Sequence, residues 1–182
     1  MQNRQSSLRR LAEAGLIAAM YAALSLVLPL ASFGIVQCRL AEALTILAAF
    51  TPAAIPGLAV GCFITNLVGL GMGVNPAGAW DLLWGPLATL SAAWLTWRLR
   101  SLRIARLPLL STLPPVIINA VVVGTELTLV SPQATWQVWG IQMASVGIGQ
   151  AAACIAGGLI LYAALDRSGA SARLFGKKAQ VG

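Results

Sequence analysis

The chain has 182 residues, 58% of them hydrophobic and 9% charged, and a mean hydropathy of +0.82. That balance excludes a water-soluble domain, in which about 25% of residues are charged, and marks an integral membrane protein. The net charge of +7 would point to nucleic acid on a soluble chain, but in a membrane chain arginines are the signals that hold loops in the cytoplasm.

The apolar stretches approach the ~20 residues that a spanning helix needs, and they lack the short alternating strands of a lipid-facing barrel. Helices satisfy their own backbone groups where no water reaches them. The expectation is therefore an all-α bundle of six transmembrane helices, forming a single membrane domain over residues 1–182.

In chain order, the first span is expected at 11–30, behind Arg4, Arg9 and Arg10. Its length equals a full span and no A-x-A-like cleavage site follows, so it reads as a helix and not as a secretory signal. The second span, 38–50, is short, and its start falls anywhere from Ile35 to Leu40. The third covers 55–70 and ends at "GLGMGVNPAG", where glycines and Pro76 break the helix. The remaining spans are expected at 80–97, 109–130 and 136–165, followed by a basic tail at 166–182.

Eleven of the twelve basic residues fall at the N-terminus, between spans four and five (Arg98, Arg100, Arg103, Arg106), and in the tail (Arg167, Arg173, Lys177, Lys178). Six spans put these three segments on one side, so both termini are expected in the cytoplasm of a multi-pass cell (inner) membrane protein. The twelfth is Arg39, which this threading places at the outer end of span two, where a topology signal has no use.

Other polar residues fall at the same level. Gln37, Arg39 and Glu42 open span two, Asn66 lies in the outer part of span three, and Asp81 and Trp84 begin span four. Asn119 lies near the middle of span five and Glu126 in its outer third, while Trp136, Trp139 and Gln142 open span six. Ionisable groups in lipid are costly and face a bundle interior or a wet cavity. Arg39 and Glu42 are spaced for an i, i+3 ion pair that fixes packing. The alternative is a binding layer: three carboxylates against one guanidinium leave an excess of negative charge that a donor-rich ligand satisfies. Trp84 and Trp139 fit either an interfacial belt or a surface on which a flat heterocycle stacks.

Cys38, Cys62 and Cys154 show no CxxC spacing and read as packing residues. There is no histidine, and neither a metal nor a cofactor is expected. On span one, Ala14, Ala18 and Ala22 recur every four residues beside a second stripe, Gly15, Ala19 and Ala23. Such faces serve packing inside the bundle or docking of another membrane subunit. No GxxxxGK[ST] motif, nucleophile constellation or inverted repeat is present, which fits a substrate-binding membrane protein that draws its energy elsewhere and is not an enzyme.

The segments "ASFGIVQCRLAEALTIL", "AAIPGLAVGCFITNL", "WDLLWGPLATLSAAWLTWRLR", "LPPVIINAVVVGTEL" and "MASVGIGQ" together resemble the QueT family, queuosine-precursor binding subunits of energy-coupling factor (ECF) transporters, over Leu11 to Gly158. The resemblance implies a six-helix S component that captures a deazaguanine base from outside and works with a transmembrane coupling subunit and two ATPases. It also implies that Ala14, Ala18 and Ala22 meet the coupling subunit. Glu42 or Glu126 would accept the guanine-like edge, the other acid or Asp81 would meet an aminomethyl cation, and Asn66, Asn119 and Gln142 would read the carbonyl, with Arg39 holding Glu42 in place. The alternatives are a stand-alone proton-coupled transporter of a small heterocycle or vitamin, and a membrane enzyme using its carboxylates as acid and base.

Overall fold

Long apolar runs without helix breakers become helices, and Pro and Gly set their ends. The computed structural model describes residues 2–27, 32, 39–104 and 107–175. Gln37, Cys38, Arg106, Lys177, Lys178, the end of the first expected span and the start of the second lie outside the described residues.

Helix α1 runs Gln2–Val27 and α2, a 3₁₀ helix of 10 residues, runs Leu40–Ala49. Helix α3 (Ala54–Gly71) ends in a loop that leads through Gly78, at φ 63°, into a 3₁₀ turn at Gly78–Leu82. The positive φ suits glycine, which has no Cβ to clash there. Helix α4 spans Trp84–Leu99. A 3₁₀ turn at Leu109–Thr112 leads into α5, Leu113–Leu129, whose prolines stand in the first turn, where no amide donor is missed.

Helix α6 (Trp136–Ala151) is capped by Thr135, whose side chain accepts from the Val138 amide. It continues through a π-helical turn, Ala152–Gly157, into α7 (Gly158–Arg167), and α8 (Ala170–Phe175) follows.

Six spans were expected, and the described residues contain four helical stretches long and apolar enough to cross a membrane: Arg4–Val27, Ala54–Gly71, Leu109–Leu129 and Trp136–Arg167. The other two expected spans are shorter. Span two is cut by Thr51 and Pro52, leaving Leu40–Ala49. The segment at 80–97 opens with Asp81 in a 3₁₀ turn, so its α-helix, α4, has only 16 residues. Length and composition thus carry a multi-pass helical membrane protein and do not by themselves carry the count of six.

Close approach of small residues joins the helices. On α3, a Cβ at Gly57 would stand 2.6 Å from the Ala14 carbonyl oxygen, and one at Gly61 would stand 2.7 Å from Tyr21 Cβ. On α5, a Cβ at Gly124 would stand 2.9 Å from Met143 Cα of α6. The main apolar cluster is built where α1, α2, α3 and α4 meet, from Ile17, Tyr21, Leu44, Leu47, Leu58 and Ala93. At the end of α4, Arg98 lies 4.9 Å from the Trp94 ring and Arg100 lies 4.4 Å from that of Trp97, which suits an interface where indole and guanidinium share the headgroup level.

Candidate functional site

Arg39 precedes α2 in an extended backbone conformation, φ −72°, ψ 91°. Its side chain therefore leaves the helix it introduces. Nη2 donates to Asp81 Oδ2 at 2.6 Å, and Nη1 lies 3.8 Å from Cys62 Sγ on α3. Asn75 Nδ2 also donates to Asp81 Oδ2, at 3.1 Å, while Asn66 Nδ2 donates to the Asp81 backbone carbonyl at 2.7 Å. Asp81 is fully buried just before α4, where the partial positive charge of a helix N-terminus favours a carboxylate. Gly85 makes room for this knot: a Cβ there would stand 2.2 Å from Asp81 Oδ1 and 2.5 Å from Asn66 Nδ2.

Glu42 belongs to a different set of bonds. Its Oε1 accepts from the Tyr21 hydroxyl at 2.5 Å and from Thr89 Oγ1 at 3.3 Å, and its Oε2 accepts from Thr45 Oγ1 at 3.0 Å. Four buried side chains from α1, α2 and α4 are thus tied at one carboxylate, a geometry in which charge-assisted bonds offset the loss of water. Behind it, Cys154 in the π-helical turn reaches the Glu42 carbonyl at 3.7 Å and Gln150 Oε1 at 3.4 Å. A long 3₁₀ stretch and a π turn, both uncommon, meet beside the same residue.

Helix α5 presents a third arrangement. Asn119 and Glu126, seven positions apart, share a face with buried Val123 between them. Asn119 is 3% exposed and Glu126 is 5% exposed. Asn119 Nδ2 and both Glu126 carboxylate oxygens have no hydrogen-bonding partner among the described residues, and neither has Asn66 Oδ1. Val123 and Leu127 of α5 cluster with Ala77, so this face of α5 borders the loop that leads to Asp81. Buried polar atoms are almost always satisfied. A wall on which acceptors outnumber donors matches a ligand that brings N–H groups.

The structure brings together Arg39, Asn66 and Asp81, with Glu126 buried on the adjoining helix α5 and Asn119 two turns away along it. Glu42 lies one layer away. The expected hold of Arg39 on Glu42 is corrected: Arg39 pairs with Asp81, because its backbone turns out of the helix before the i, i+3 spacing applies. Trp84 is exposed and lies outside the buried layer. Trp139 is half-buried with Nε1–H donating to Thr125 Oγ1 at 3.0 Å, its ring edge-on to Trp136. Gln142 is half-buried on the next turn of α6.

The small-residue stripe needs correction as well. Ala18 and Ala22 are buried, and Ala14 and Ala18 touch Gly57 and Gly61 of α3, so this stripe closes the α1–α3 contact. The neighbouring Gly15, Ala19 and Ala23 are the exposed ones.

Five contributors escaped the sequence reading. Tyr21, Thr45 and Thr89 hold Glu42, Asn75 holds Asp81, and Gly85 clears the space beside it. Only Asn75 carried a local signal, as the residue before Pro76 in a turn; its own Oδ1 accepts from the Ala77 amide.

In comparisons with known proteins, a family model described as QueT transporter matches residues 11–167. No curated protein and no solved structure matches the chain.

Proposed function

The chain belongs to the QueT transporter family, a family of transporters and not of enzymes, and from that premise we propose that it is the substrate-capture (S) subunit of an ECF-type importer for a queuosine precursor. It takes a deazaguanine base at the end of the bundle that holds Arg39, Asp81 and Glu126, the outer end if the arginine-rich segments lie in the cytoplasm. A coupling subunit and two ATPases supply the energy.

The observation that supports this reading is the buried carboxylate of Glu126, unpartnered among the described residues, with Asn119 two turns away. A guanine-like edge offers two adjacent N–H donors, which one carboxylate accepts in parallel. Asn119 Nδ2 is a donor for the ring carbonyl. The two positions are about 10 Å apart along the helix axis, so their side chains must lean toward each other to share the one edge on which the ring carbonyl adjoins the N–H donors. Asn66 Oδ1 takes a further N–H. Asp81 keeps its bond to Arg39 and lends negative potential toward an aminomethyl cation. Glu42, already bonded to three hydroxyls, positions α2 and does not touch the base. Trp139 borders the site from α6.

Titration of the purified chain with 7-deazaguanine bases, with and without the aminomethyl group, tests the substrate. Saturable binding is expected. No binding, together with tight binding of an unrelated heterocycle, overturns the substrate assignment. Co-purification with a coupling subunit and ATPases tests the assembly, and Ala19→Leu on the exposed stripe of α1 is expected to block it while base binding persists. Uptake that survives deletion of the ATPases and collapses with the proton gradient would instead support a stand-alone transporter that uses Glu126 as proton carrier.

A further inference from the structure

At the opposite, arginine-rich end of the bundle an apolar groove of about 150 Å³ runs between α1, α2 and α7, with Leu174 and Phe175 of α8 and Glu13 of α1 at one end. A cavity of this order lined by aliphatic carbon stays dry and takes an apolar guest. On the α1 side it is bordered by Leu16 and Met20, which are exposed, so it opens sideways to whatever surrounds the helix. Around a spanning helix that medium is hydrocarbon.

The end of the groove is charged. Arg9 donates through Nε to Glu13 Oε1 at 3.1 Å and through Nη2 to the Leu174 carbonyl at 2.9 Å. These bonds fix the guanidinium at the groove mouth while using two of its five N–H donors. Glu13 is neutralised by Arg9 and also accepts from Thr51 Oγ1 at 3.0 Å, so the net positive charge at this end comes from other arginines. Arg4 and Arg10 on α1 and Arg173 on α8 add positive charge, and neither helix carries another acid. An apolar slot beneath a fixed arginine on a basic surface has the chemistry of a phospholipid site.

We infer that this groove seats one acyl chain of an anionic phospholipid, from the leaflet at the arginine-rich end, with the headgroup phosphate on Arg9. The lipid fills space between α1 and α7 that no side chain of the described residues occupies. It braces the helix whose other faces serve the α3 contact and the exposed stripe.

The test uses the full chain in phosphatidylcholine nanodiscs. These contain a small fraction of either phosphatidylglycerol or phosphatidylcholine bearing a photoactivatable diazirine on the acyl chain, and adducts are mapped by peptide mass spectrometry. Phosphatidylglycerol adducts are expected to concentrate at Leu16–Met20 and Leu161–Leu165, at least fivefold above those of phosphatidylcholine. Leu16→Trp, which fills the groove from an exposed position, is expected to lower them at least fivefold, and Arg9→Gln to bring the two lipids level. Should Leu16→Trp fail to accumulate, Leu161→Phe makes the same measurement. Adducts spread evenly over the lipid-facing helices, or equal for the two lipids, overturn the inference. So does cross-linking of the groove to another polypeptide in native membranes.

Discussion

Arg39 and Glu126 are both ionisable and both almost fully buried, yet the fold treats them in opposite ways. Around Arg39 the chain closes: a carboxylate at 2.6 Å, two asparagines on the same aspartate and a glycine that clears the space. To the Glu126 carboxylate the described residues offer no hydrogen bond. The first region is closed mainly by the protein itself, with Asp81 Oδ1 and Asn66 Oδ1 as its open acceptors among the described residues, so disturbing it is expected to damage the fold. Under the proposed function the second is completed by the base, so disturbing it is expected to damage recognition.

Breaking the finished region gives the largest effect. Arg39→Met leaves Asp81 buried without its cation and is expected to cost about 3–5 kcal/mol, seen as a collapse of the melting temperature in detergent. Adding Asp81→Asn to that variant is expected to restore part of it. Glu42→Gln comes next. Replacing the carboxylate on which Tyr21, Thr45 and Thr89 converge is expected to cost about 1.5–3 kcal/mol of stability, while base affinity in the folded fraction stays within a few-fold of wild type. A loss of affinity without loss of stability would move Glu42 into the open region.

Glu126→Gln is the mirror experiment. It is expected to lower base affinity more than tenfold, the equivalent of a charge-assisted hydrogen bond of about 1.5–3 kcal/mol, and to leave the melting temperature unchanged or raised. A drop in melting temperature as large as that of Arg39→Met would erase the distinction between the two regions. Asn119→Ala is the smallest change. Losing one neutral hydrogen bond, about 1 kcal/mol, is expected to weaken binding about fivefold in calorimetry, with stability unaffected.

The sequence singled out Arg39, Glu42, Asp81 and Glu126 as buried, because charge in an apolar chain is expensive wherever it falls, and all four are buried. It did not reveal how they divide. Arg39 and Glu42 look like a pair only if both sit on one regular helix, and Arg39 does not: its backbone is extended, and its partner lies 42 positions on. Tyr21 and Thr89 were invisible for a related reason. A hydroxyl in an apolar run bonds either its own helix, as Thr125 does with the Val121 carbonyl, or a distant side chain, as Thr89 does with Glu42. Spacing along one strand of sequence carries no trace of that choice. The stripes on α1 show the same limit, since two adjacent faces of small residues read alike until α3 covers one of them. The long apolar runs fared better, because hydropathy is a sum over many residues and tolerates local error.

Helix α2 is held at both ends, by Arg39 on Asp81 and by Phe50, whose ring stacks 4.9 Å from Tyr162 and 6.0 Å from Phe175. With a rise of about 2.0 Å per residue against about 1.5 Å in an α-helix, its 10 residues reach about 5 Å further than the tighter-rising alternative. It behaves as a drawn cable between two anchors. Releasing either anchor would let it shorten, and the carboxylate of Glu42 would travel with it.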